Sequence, residues 1–160
     1  MKRTLGYLVA LAVLCGAAAA QESTAPAHIM MAPAETKWGA PPAVFEKGMS
    51  FSVVSGDPSK PGLYVVRAKM PAGYKIAPHW HPTDEHVTVL SGTFALGMGE
   101  KFDKASMKKL PAGGYALLPA DMRHFAMATT AATIQIHGQG PFALTYVNPA
   151  DDPTKRAAAK

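Results

Sequence analysis

Two histidines one residue apart, His79 and His81, followed by Glu85 and much later by His124, are the side chains of this chain best suited to chemistry. In a β-strand, residues i and i+2 point to the same face, so His79 and His81 project together while Trp80 points away. Two imidazoles held side by side make half of a metal site. Pro82, Thr83 and Asp84 then turn the chain, and Glu85 opens the next strand. An antiparallel neighbour places its side chain within about 5 Å of the residue opposite, so this carboxylate can add an oxygen ligand. The competing reading of the pair alone is two exposed histidines at a strand end beside a surface glutamate, because short motifs match by chance.

A second segment, from Gly113 through Pro119 and Asp121 to His124, reads as a strand, a Pro-stopped turn and the start of another strand. Asp121 sits in the turn, where Asp tolerates a left-handed backbone. His124 thus lies at a strand end, as do His79 and His81. Three histidines and one glutamate can meet inside a barrel and leave up to two positions of a six-coordinate ion open, which marks a reactive site rather than a structural one. Cys15 is the only cysteine and falls in the N-terminal apolar stretch, so thiolate ligands and disulfides are excluded once that stretch is removed. Nitrogen and oxygen ligands leave Fe, Mn, Zn, Ni and Cu as candidates for the one divalent ion.

The elements that must position these residues are short apolar runs punctuated by turn residues. They span 51–54, 63–70, 86–90, 93–98, 115–118, 123–127, 133–137 and 142–147, with Gly56-Asp57-Pro58, Pro71-Ala72-Gly73 and Ser91-Gly92 among the breaks. This spacing predicts an all-β sandwich or barrel. A single short helix is expected near Lys104 to Lys109; sustained 3.6-residue periodicity is absent. Residues 1–20 have the three parts of an export signal: Lys2 and Arg3, an apolar run through Cys15, and Ala18-Ala19-Ala20 before Gln21. The apolar run is short for a membrane span, so cleavage at Ala20-Gln21, release without stable membrane insertion and a periplasmic or secreted location are expected. Residues 21–44, rich in Ala and Pro, form a linker or arm that Trp38, Val44 and Phe45 dock on the domain. The domain covers 45–150, and 151–160 is a tail expected to fray.

Sixteen basic residues against 11 acidic ones give a formal charge of +5, or +3 without Lys2 and Arg3. The lysines are scattered rather than interleaved with aromatics in a run, so nucleic-acid binding is excluded and a solvated surface is expected.

These two segments resemble the two motifs of the cupin superfamily. Gly73, His79, His81, Glu85 and Gly92 match G-x5-HxH-x3,4-E-x6-G without a gap, and Gly113, Pro119 and His124 match G-x5-PxG-x2-H-x3-N. Asp121 replaces that motif's second Gly and Ala128 its Asn; neither departure removes a ligand. The resemblance is to small exported bacterial cupins of one domain. It implies a jelly-roll β-barrel with an extended N-terminal arm, one metal held by His79, His81, Glu85 and His124, a small-molecule ligand or substrate, and a homodimer. It also implies a mononuclear metalloenzyme, dioxygenase-like or an isomerase or decarboxylase, with a non-catalytic metal-binding or sensor module as the alternative.

Other side chains carry weaker expectations. His137 shares a face with Gln135, opposite Ile134 and Ile136; facing inward it would be a general acid/base, and facing outward an ordinary exposed histidine. His86 should point away from Glu85. Arg67 and Lys69 share a face, expected to be solvated unless it meets an acidic substrate. Met70, Met98, Met122 and Met127 are expected to line the core or pocket.

Overall fold

The computed structural model describes residues 28–158. The export signal, its cleavage point and the first part of the arm lie outside the described residues. Ten strands form two five-stranded sheets: β1 (Ser50–Ser55), β2 (Gly62–Met70), β3 (Lys75–Trp80), β4 (Glu85–Ser91), β5 (Thr93–Met98), β6 (Lys108–Pro111), β7 (Tyr115–Leu118), β8 (His124–Ala128), β9 (Ala132–Gly140) and β10 (Thr145–Tyr146). The first sheet runs β1-β2-β9-β4-β7 and the second β10-β3-β8-β5-β6, with every paired neighbour antiparallel. This is the jelly-roll arrangement expected from the motifs: the chain alternates between the sheets, and their apolar faces close on each other.

Alternation explains which side chains are inside. In β9, Ala132, Ile134 and Ile136 are buried while Thr133, Gln135 and His137 are half-buried on the other face. In β4, Glu85, Val87 and Val89 are buried. With Tyr64, Val66, Ala68, Phe94 and Leu96 the apolar members of these two strands build one contiguous core. The β4–β5 hairpin closes at Gly92, whose φ is +72° and where a Cβ would lie 2.0 Å from the Ala131 carbonyl, so only glycine fits.

One irregularity decides where the chemistry sits. The β3–β8 ladder pairs Ile76 with Ala126 and His79 with His124, so three steps along β3 match two along β8. The bulge falls at Ala77-Pro78; proline has no N–H to give a ladder. It changes the strand's phase, so that Ile76 and His79 both face inward, and His81 follows.

Four expectations are corrected. The segment expected to be a helix near Lys104 to Lys109 is a single 3-10 turn, Lys104–Ser106, capped by the Asp103 side chain on the Ala105 N–H, and Lys108 already opens β6. Of 142–147 only Thr145–Tyr146 pairs as a strand; Phe142 and Leu144 pack on the core from a loop. Met70 and Met127 are buried as expected, but Met98, the last residue of β5, is 52% exposed and Met122, in the turn before β8, is 39% exposed. The tail forms a 3-10 turn, Pro149–Asp151, and the helix α1 (Pro153–Ala158), started by the Asn148 and Asp152 side chains accepting from backbone N–H groups and tied back by an Arg156–Glu46 ion pair.

The arm packs along the barrel. Gly39 forms a bridge with Phe51, the Tyr74 hydroxyl donates to the Glu46 carbonyl at 2.6 Å, and the Tyr146 hydroxyl donates to the Val44 carbonyl at 2.9 Å. Arg67, half-buried, donates to Thr36 Oγ1 at 3.0 Å, and Lys69 lies over the Trp38 ring while staying exposed, so the basic face of β2 holds the arm and is solvated at Lys69 as expected.

Candidate metal centre

His79 is the last but one residue of β3, His81 follows the strand, Glu85 opens β4 and His124 opens β8; all four are buried at one end of the barrel. The ligating nitrogens of His79, His81 and His124 lie within 4.8 Å of one another. The His79 and His124 rings are 4.1 Å apart between centroids, and His79 and His81 are 5.0 Å apart. One oxygen of Glu85, Oε2, stands 3.6 Å from both His81 Nε2 and His124 Nε2, a span that two donors at about 2.0–2.2 Å from one ion can bridge.

The backbone sets the state of each imidazole. Nδ1 of His79 meets the Ala77 carbonyl at 2.7 Å, Nδ1 of His81 the Ala143 carbonyl at 2.7 Å, and Nδ1 of His124 the Met122 carbonyl at 2.9 Å. A carbonyl only accepts, so in each ring Nδ1 carries the proton and donates it, and Nε2 keeps a free lone pair. Burial, followed by the neighbouring His124 and His81, pushes His79 down to about 3, so it is neutral at physiological pH. Burial works to raise Glu85, whereas a proton placed on His124 or His81 would outweigh it and lower the carboxyl.

His81 Nε2 is a buried nitrogen with no hydrogen-bond partner among the described residues. Such an atom costs roughly 1–3 kcal/mol if left unpaired. Beside two further lone pairs and a carboxylate, its natural partner is a cation. The residues present therefore fit a divalent ion: three histidines are positioned to bind a metal, with a carboxylate adjacent.

The second motif is locked to the first by contacts that sequence reasoning missed. Asp84 Oδ1 accepts from the Ala120 N–H at 2.8 Å, and the Asp121 N–H donates to the His81 carbonyl at 2.8 Å. Asp84, in a turn just before Glu85, carries the usual signal of a backbone-binding turn residue. Asp121 has φ +62°, in the left-handed region. The carbonyls of Ala77, Met122 and Ala143 have no side-chain signature and could not be read from the sequence.

The site opens on a narrow cavity of about 30 Å³ lined by Met49, Phe51, Phe94, Leu96, Ile134 and Leu144 among other apolar groups. His79, His81, Glu85 and His124 are the titratable residues on its wall. His137 is not among them. It lies on the outer face of β9, stacked on His86 with ring centroids 4.6 Å apart, because the buried isoleucines fix the strand's phase. Of the two orientations open to His137, the strand takes the outward one, so it is not placed as an acid/base beside the cluster. His86 faces outward as expected, sharing a 2.7 Å hydrogen bond with the Tyr115 hydroxyl.

Solved structures of similar fold include a candidate acetylacetone dioxygenase from Methylibium petroleiphilum PM1 (21% identity, 83% of this chain and 90% of that chain, TM-score 0.61). A polyketide cyclase from Streptomyces resistomycificus is also similar (13% identity, 82% and 94%, TM-score 0.65). So is part of a salicylate 1,2-dioxygenase from Pseudaminobacter salicylatoxidans (17% identity, 65% of this chain but 32% of that one, TM-score 0.52). At these identities the likeness establishes the fold. No curated protein matches the chain. Residues 26–143 match the ChrR cupin-like domain family, which with the barrel and its histidine cluster places this chain in that family and in the cupin superfamily.

Proposed function

We propose that the barrel holds one divalent metal ion through Nε2 of His79, His81 and His124 and the Glu85 carboxylate, and that it works on a small molecule as a mononuclear metalloenzyme of the dioxygenase type. The observation that carries this reading is the unpartnered His81 Nε2, buried where two other Nε2 lone pairs and a carboxylate converge. A bound divalent ion would supply Lewis acidity and open positions for exogenous ligands. The protein's own residues would contribute the rest: three carbonyls hold the Nδ1 protons, Glu85 would offset part of the ion's charge, and the wall around the site is mostly apolar.

Within dioxygenase, isomerase and decarboxylase chemistries, the wall favours the first. Isomerases and decarboxylases usually need a positioned proton donor or acceptor besides the metal. Here the titratable groups on the cavity wall are the four candidate ligands themselves. That the fold is shared with a salicylate 1,2-dioxygenase and a candidate acetylacetone dioxygenase agrees with this choice. The small cavity favours one second reading, a metal-binding or sensor module without turnover. The N-terminal sequence supports export to the periplasm or beyond as the setting.

The test is metal analysis after reconstitution with Fe, Mn, Zn, Ni and Cu, followed by oxygen-electrode measurements across a panel of small diketones and hydroxybenzoates. A preformed site should fill to near one ion per chain, and less than about 0.1 per chain for every metal removes the proposal. Oxygen uptake with substrate loss identifies the enzyme. Full metal loading with tight ligand binding and no product identifies the module.

A further inference from the structure

We propose that His86 and His137 form a second metal-binding site, on the outer face of the first sheet, that takes a divalent cation of the copper and zinc class. The two residues are direct cross-strand partners on β4 and β9, both strands flanked by neighbours within the sheet. Their inward neighbours Glu85, Val87 and Ile136 are buried, so strand alternation turns both imidazoles to solvent, side by side. The rings stack 4.6 Å apart with an interplanar angle of 6°.

The surroundings suit a cation. The pair lines a recess of about 340 Å³ that it shares with Asp84, Thr83 and Gln139. The Asp84 carboxylate is anchored there by Oδ1, which accepts the Ala120 N–H. The Tyr115 hydroxyl, 2.7 Å from His86 Nδ1, orients that ring and leaves its Nε2 as the coordinating atom. Paired imidazoles prefer Cu(II), then Zn(II) and Ni(II), over Mg(II) or Ca(II); Asp84 lines the same recess without joining the pair as a third preformed ligand. To chelate, the rings must turn out of their stack so that one nitrogen of each meets the same ion. Because the two strands are already paired, the chelate closes without ordering any backbone. The site is independent of the buried centre, since Glu85 and His86 face opposite sides of β4.

The probe is Cu(II) alone, titrated into the purified protein and followed by electron paramagnetic resonance. The expected result is a copper population with superhyperfine splitting from two nitrogens that disappears in the His86→Gln/His137→Gln double variant. Each single variant should weaken this binding by more than the about 10–100-fold that losing a supporting partner costs. His81→Ala, which disables the buried centre, should leave this population intact, whether or not that centre takes metal. A second measurement leaves the pair itself intact: in the His81→Ala protein, substoichiometric Cu(II) should broaden the backbone amide signals of Thr83, His86, His137 and Gln139 first. A two-nitrogen signal that persists in the double variant, the same copper uptake with and without the pair, or broadening confined to other residues would overturn the assignment.

Discussion

His81 donates its Nδ1 proton to the carbonyl of Ala143 at 2.7 Å, 62 residues further along the chain. The contact makes the loop between β9 and β10 part of the metal centre. Phe142, next to Ala143, holds that loop in place: its ring lies 5.2 Å from His81, 6.1 Å from Tyr64 in an edge contact and 6.3 Å from Phe45. Phe142→Ala should cost about 1–3 kcal/mol of stability, below the about 3–5 kcal/mol of a fully buried aromatic because the ring is only half-buried. It should also weaken metal binding by about 10–100-fold, the usual loss when the partner orienting a histidine ligand is disturbed. Denaturant unfolding checks the first value and competition against a chromophoric chelator the second. An unchanged metal affinity would mean that the loop does not position His81.

Filling the centre should stabilise the fold, because the convergent lone pairs exist only in the folded chain. With free metal at about 100 times the Kd, the gain is about 2.7 kcal/mol, and a chelator should reverse it. His124→Ala removes one nitrogen and should abolish the metal-dependent rise in melting temperature. Glu85→Gln keeps the shape and removes the charge, so it should weaken the rise without erasing it. Thermal melts of the three proteins with and without chelator decide this. A His124→Ala protein that still gains the full shift would remove His124 from the ligand set.

The sequence carried the site further than it carried the outline of the strands. The HxH spacing, the turn before Glu85 and the Pro-stopped turn before His124 are local rules, and each placed its residue at a strand end. Other features depend on contacts distant in sequence. The bulge at Ala77-Pro78 that turns His79 inward is visible only once β8 is alongside. Phe142 and Leu144 alternate like a strand, yet that segment leaves the ladder to pack those side chains and to present the Ala143 carbonyl to His81. The side of β9 that carries His137 was readable in part: two isoleucines against a histidine and a glutamine already favoured the isoleucines as the buried set. Met98 and Met122 look like core residues by composition, and their exposure follows from places the sequence did not mark, the last residue of β5 and the turn before β8.

Asp121 occupies a position where the motif has glycine, and its φ of +62° shows why. Side chains with a Cβ lose roughly 1–2 kcal/mol in the left-handed region, less for Asp than for most. Its backbone N–H bonds the His81 carbonyl, which a glycine would preserve. Asp121→Gly should therefore leave metal affinity unchanged. Relief of strain in the fold opposes the extra freedom that glycine gives the unfolded chain, so stability should change by no more than about 1 kcal/mol. Asp121→Val should destabilise by more, since a β-branched residue is a true outlier at positive φ. Chemical denaturation of the two variants makes the comparison. Equal stability for both would show that the backbone there relaxes freely.

Three tyrosines predict how the fold fails in alkali. Burial, then the charge of Glu85, raises Tyr64 to about 12; burial, then Glu46, raises Tyr146 to about 12; and Tyr74 is raised further, again chiefly by burial. An unfolded tyrosine releases its proton near pH 10. Between pH 10 and 12 the unfolded chain therefore loses protons that the folded chain keeps, and deprotonation favours unfolding. The stability contributed by these phenols is complete below pH 10 and is lost progressively as the pH rises towards 12. Two of them, Tyr74 and Tyr146, also hold the arm by donating to the Glu46 and Val44 carbonyls, so alkali should release the arm as they ionise. Denaturant midpoints should stay level up to about pH 10 and then fall. Tyrosinate absorbance from these three residues should rise with the loss of structure rather than before it. Tyr146→Phe should lessen the fall above pH 10 while lowering stability at neutral pH through the missing hydrogen bond to Val44. Full ionisation of every tyrosine near pH 10 with the barrel intact would contradict the burial of these hydroxyls.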